Sequence, residues 1–65
     1  MIINNAELMY KAFLIEATTK RLVLKGITDW EKLTKEIDEQ YQPITEEEME
    51  VFSEAIIYAR CAILN

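Results

Sequence analysis

One stretch limits this chain more than any other: Ala55-Ile56-Ile57-Tyr58-Ala59-Arg60-Cys61-Ala62-Ile63-Leu64, which is apolar on nearly every side of a helix. At about 3.6 residues per turn, one stripe runs through Tyr58, Ala55, Ala59, Ala62, Phe52, Ile63 and Ile56. A second, on the opposite side, runs through Ile57, Cys61 and Leu64. A surface helix buries one stripe, whereas a helix apolar all round has to be covered all round. The rest of the chain must be understood first as a cover for this segment.

Covering is difficult at this size. The chain has 65 residues, and a domain so short hides only about 60% of the surface its unfolded form exposes. Small folds usually offset the ordering entropy with disulfides, a metal or oligomerisation. One cysteine and no histidine exclude an internal disulfide and leave no zinc ligand set. Since 51% of the residues are hydrophobic, oligomerisation is the remaining staple. The expected fold is an all-α three-helix bundle completed by homodimerisation, a single helical domain over residues 1–65. Cys61, set among Ala and Ile, reads as a buried thiol acting as a small apolar group, with no histidine to serve it as a base.

Helix starts recur three times in one form, Ile-(Asn or Thr)-x-x-Glu: Ile3-Asn4-Asn5-Ala6-Glu7, Ile27-Thr28-Asp29-Trp30-Glu31 and Ile44-Thr45-Glu46-Glu47-Glu48. The Asn or Thr oxygen accepts from an orphan amide three residues on, and the Glu reaches back to the cap residue's own amide. The Ile before each cap can staple onto the residue five positions later, Leu8 in the first case and Met49 in the third; in the second that residue is Lys32. Three helices follow, over about 5–25, 29–41 and 45–64.

Gly26, the only glycine, stands where the first helix needs a left-handed terminator, with Ile27 placed to touch Leu22. Leu8, Ala12, Ile15, Leu22 and Val23 form one apolar side of that helix, and Tyr10, Phe13, Ala17 and Leu24 form another. Leu14 falls on the polar side with Glu7, Lys11 and Lys25. The second helix is simpler. Trp30, Leu33, Ile37 and Tyr41 make one narrow stripe, with Trp30 expected as a core anchor. Gln42-Pro43 ends it, because the residue before a proline is driven out of right-handed helical geometry. In the third helix Ala55, Ala59 and Ala62 allow another helix to approach closely, either helix one or a second copy.

Charge and motifs narrow the function classes. A net charge of −5 argues against nucleic-acid binding by phosphate neutralisation and against an anionic membrane surface. A charge-steered partner should be a basic protein. A helix-turn-helix role fails on the acidic outer face of helix three, where base and phosphate contacts need Arg, Lys, Asn or Gln. Glu7, Lys11 and Glu16 interrupt the early apolar stretch, so no secretory leader is read, and a cytoplasmic site is expected. No uncharged run approaches the roughly 20 residues of a membrane span.

Two constellations stand out. Glu46, Glu47, Glu50 and Glu54 share one face without a cation, either a solvated face that keeps an apolar protein dispersed or a docking face for a basic surface. Glu36-x-x-Glu39 and Glu47-x-x-Glu50 raise a magnesium-dependent nucleotide pyrophosphatase, which holds metal between facing carboxylate pairs. Both pairs point outward on the helix projection, so no catalytic, cofactor-binding or metal residue is assigned and no cofactor is expected. The stripe Ile57, Cys61 and Leu64, with Leu14, is the expected oligomer interface; a cover within the same chain, by Met1-Ile2-Ile3 or by a neighbouring helix, is the competing arrangement. Composition of this kind, short, acidic, helical and without catalytic groups, is common among phage and mobile-element products that inhibit host proteins. The expected function is a small, non-catalytic interaction module that regulates or inhibits a larger protein. An assembly subunit of a virion or larger complex is the second reading.

Overall fold

The computed structural model describes residues 5–64, apart from the Asn5 side chain. It consists of α1 (Asn5–Leu24), α2 (Trp30–Tyr41) and α3 (Glu46–Leu64), with no strand among the described residues. The Asn4 cap, the Ile3–Leu8 staple and the Met1-Ile2-Ile3 cover lie outside the described residues.

Each helix boundary has a local cause. At the end of α1, Gly26 adopts φ +99°; its amide donates to the Val23 carbonyl at 3.0 Å, and the Ile27 amide donates to the Leu22 carbonyl at 3.0 Å. That pair of bonds is a Schellman closure, which satisfies carbonyls the helix leaves open. Leu22 and Ile27 both pack against the core. At α3 the first half of the expected cap forms, Thr45 Oγ1 accepting from the Glu48 amide at 3.0 Å, while Glu48 Oε2 meets Lys11 Nζ at 3.3 Å. Ile44 is 84% exposed, so the staple at this end buries little.

The start of α2 differs by one residue from the repeated pattern. Its cap is Asp29, whose Oδ2 accepts from the Lys32 amide at 3.2 Å, not Thr28. Asp is at least as good a cap as Thr, and the Thr28 carbonyl is used elsewhere, accepting from Arg60 Nε at 2.9 Å. At the other end Gln42 takes the left-handed conformation (φ 44°, ψ 73°) and its amide donates to the Asp38 carbonyl at 2.9 Å. Pro43 forbids a continued right-handed turn there.

α1 and α3 run side by side in the same direction and make the main interface. Near their amino ends Lys11 Nζ meets Glu48 Oε2 at 3.3 Å; beyond the carboxyl end of α1, Arg60 holds Thr28. Lys11 thus faces α3 instead of lying on an outer polar side with Leu14. α2 returns antiparallel across the pair and buries Leu33 and Ile37. The core joins Ile15 and Val23 of α1, these two residues of α2, and Phe52, Ala55 and Ile56 of α3, with Ala59 also fully buried. Each large side chain so hidden contributes about 1.5–3 kcal/mol of transfer free energy. Tyr41 closes the open end: its ring meets Phe52 edge-on at 6.4 Å, and its hydroxyl lies 2.8 Å from Thr18 Oγ1.

Two hydroxyls sit in this interface where the expected core had none. Thr18 and Thr19 are buried, and Thr19 Oγ1 has no hydrogen-bond partner. The inner seam of α1 runs Leu8, Ala12, Ile15, Thr19 and Leu22; Thr19 belongs by spacing though not by polarity. Trp30 is a further correction. It is 39% exposed, because as the first residue of α2 it stands at the rim of the bundle. The slab-like shape, 40 × 19 × 14 Å, leaves the outer sides of α1 and α3 without neighbours among the described residues.

Candidate interaction surface

The outer side of α1 is an uncovered apolar area on the described residues. Phe13 is two residues from the buried Ile15, roughly 200° round the helix, and is 72% exposed; Leu24 is 71% exposed, and Met9 and Tyr10 are exposed beside them. The second apolar side read from the sequence therefore faces solvent. Met9, one turn before Phe13, extends it; the i, i+4 spacing to Phe13 was the signal.

On α3 the expected stripe is open as well. Ile57 is 51% exposed, Leu64 is 48% exposed, and Cys61 is exposed. Cys61 is thus not a buried thiol in the single chain. Tyr58 and Ala62, placed above on the first stripe, are exposed too, because they fall on the flank of α3 while Phe52, Ile56 and Ala59 take the centre of the buried face. Of the three alanines expected to admit a close neighbour, Ala55 and Ala59 do so. Leu14 does not join this group: it is half-buried on α1 beside Ile15, whereas the stripe points away from α1.

Glu46, Glu47, Glu50 and Glu54 are all exposed, while Glu48 turns inward to Lys11. The acidic residues and the apolar stripe occupy one outer side of α3, acids in the amino half and apolar groups in the carboxyl half. A shallow groove of about 290 Å³ lies between Trp30, Thr34 and Asp38 of α2 and Met49, Ser53 and Ile56 of α3. Its polar lining is the Thr34 and Ser53 hydroxyls, the Asp38 carboxylate and the Trp30 indole.

The paired-carboxylate idea gains nothing from the geometry. Glu36, Glu39, Glu47 and Glu50 all stand exposed, and among the described residues no three His, Cys, Asp or Glu side chains stand close enough to hold a metal. Nor is any helix among them long and apolar enough to cross a membrane. The chain matches no protein-family model, no curated protein and no solved structure. What this surface does has to follow from its own chemistry.

Proposed function

We infer that this chain is a small, acidic, non-catalytic protein–protein interaction module, which self-associates and regulates or inhibits a larger cytoplasmic protein by occupying one of its surfaces. The observation that carries this is the pair of uncovered apolar sides, Met9, Tyr10, Phe13 and Leu24 on α1 and Ile57, Cys61 and Leu64 on α3, in a chain whose core is already closed. Exposed apolar groups so grouped mark contact surfaces more often than chance decoration. The acidic side chains beside them suit a basic partner, and an exposed unpaired cysteine suits a reducing compartment.

The test combines mass with capture. Light scattering on the purified chain should show a species heavier than one copy, and immobilised chain should retain one stoichiometric partner from a host lysate. Ile57→Asp should abolish the heavier species while the dilute chain keeps its melting temperature within a few degrees, since Ile57 is half-exposed in the single copy. A monomer at all concentrations that captures nothing would sink this reading. A second reading, an assembly subunit, is favoured by one observation: the two apolar sides are back to back. Open-ended growth in mass with no host partner captured would select it.

A further inference from the structure

We propose that the outer side of α3 receives the outer side of α1 from a second copy of this chain, with the two helices antiparallel. This rests on the reading of the chain as an interaction module and names its first partner. On α3, Glu47, Glu50, Glu54, Ile57, Cys61 and Leu64 are all exposed and recur at alternating intervals of three and four residues. On α1, Ala6, Tyr10, Phe13, Ala17, Lys20 and Leu24 recur at alternating intervals of four and three. Such alternation keeps one side of a helix in contact with a neighbour along its length.

The two seams are complementary in opposite directions. α3 is acidic in its amino half and apolar in its carboxyl half; α1 is apolar in its amino half and carries Lys20, Arg21 and Lys25 at its carboxyl end. Antiparallel alignment with Phe13 across Ile57 brings Tyr10 to Cys61 and Ala6 to Leu64. In the other half Ala17 meets Glu54, Lys20 meets Glu50, and Leu24 meets Glu47. Only the last layer is mismatched, at an end flanked by Lys25. Lys20 pairs with Glu16 in the single copy at 3.2 Å; exchanging one partly exposed ion pair for another costs little.

Self-pairing of α3 is worse in either direction. Parallel copies stack Glu47, Glu50 and Glu54 on themselves, and antiparallel copies lay those carboxylates on Leu64, Cys61 and Ile57. Self-pairing of α1 raises no such conflict but leaves α3 bare. Because α1 and α3 bury their inner sides against each other, the two seams face away from one another. The contact is therefore heterologous and grows open-ended.

Sedimentation velocity of the full chain over a concentration series tests this. The wild-type mass should rise past the dimer and fall on adding salt. Glu50→Lys and Lys20→Glu should each weaken association about tenfold, as like charges then face each other. The double variant Lys20→Glu/Glu50→Lys should recover most of the loss, which a local effect on either helix would not produce. Far-UV circular dichroism on the dilute variants confirms that each is folded. Cys61 should react more slowly with a thiol reagent as association proceeds. The proposal is overturned if Glu50→Lys leaves the mass curve unchanged, or if the double variant shows no recovery. Loss of association by Phe13→Asp alone, with Glu50→Lys silent, would point instead to α1 pairing with itself and would leave the interaction-module reading intact. A monomer throughout overturns the pairing, while capture of a host partner decides the wider reading separately.

Discussion

α2 and α1 are built to different rules. α2 carries one narrow apolar stripe: Leu33 and Ile37 are fully buried, and its other sides hold Glu31, Lys32, Lys35, Glu36, Asp38, Glu39 and Gln40, all exposed. Such a helix needs one neighbour and has it. α1 carries two opposed seams, and the described residues cover only the inner one. Counting apolar sides counts the neighbours a helix requires. By that count α2 is a finished cover, whereas α1 and α3 each keep an outer apolar side that no other described residue covers.

The chain's two phenylalanines offer the sharpest way to break that comparison. Phe52 is 1% exposed on the inner side of α3, and Phe13 lies on the outer side of α1. Phe52→Ala should cost about 3–5 kcal/mol, enough to unfold most of a chain this small. Phe13→Ala should change the stability of the dilute chain by about 0.5 kcal/mol or less and act instead on association. Urea titrations at low and high protein concentration separate the two. Comparable losses at low concentration would mean that the two sides of α1 are not energetically distinct.

Gly26→Ala probes how α2 is hung from α1. A Cβ at Gly26 would meet no atom within 4 Å, so the penalty comes from φ +99° alone. It should be about 1–2 kcal/mol, or roughly 4–8 °C in melting temperature per kcal/mol for a domain of this size. A neutral result would mean that the closure between Leu22 and Ile27 is not what sets the start of the connection to α2.

Thr19→Val sharpens the picture of the inner seam. The hydroxyl is fully buried without a partner, and an unmet buried donor costs about 1–3 kcal/mol. Replacing it with a methyl of the same shape should raise stability by about 1 kcal/mol, read as a higher urea midpoint with unchanged slope. A loss would show that the hydroxyl finds a partner in solution.

What the sequence disclosed and what it hid follow from the same geometry. Helix existence was legible because capping chemistry is local: Thr45 caps α3 and Gly26 closes α1 by the expected bonds. The frame at α2 slipped because Thr28 and Asp29 are adjacent candidates: Asp29 takes the cap, and the Thr28 carbonyl accepts from Arg60, distant in sequence. Helix periodicity told that α1 has two apolar sides but not which one is inward, since that depends on the partner chosen. Thr18 was hidden by polarity, as its hydroxyl is satisfied only by Tyr41, 23 residues away in the chain. The surface was legible as separate acid and apolar patches. That they form a single seam on α3 follows from the exposure of all six residues together.

Gln42→Gly is the smallest effect and the finest test of α2 as a finished cover. α1 and α2 both end in a left-handed residue, Gly26 in one case and Gln42 in the other. Gln42 cannot take the right-handed conformation before Pro43, so its Cβ is held against the following carbonyl at some cost. Glycine removes that strain and keeps the amide bond to Asp38, which is 2.9 Å long. It also loosens the unfolded chain, which offsets part of the gain. The net should be about 0.5 kcal/mol of added stability, a shift of a few degrees by calorimetry. Because Gln42 is exposed and lies on neither outer seam, association should stay as in the wild type. A change in mass on this substitution would mean that the end of α2 also touches a neighbouring copy, and that α2 is less complete than its single stripe implies.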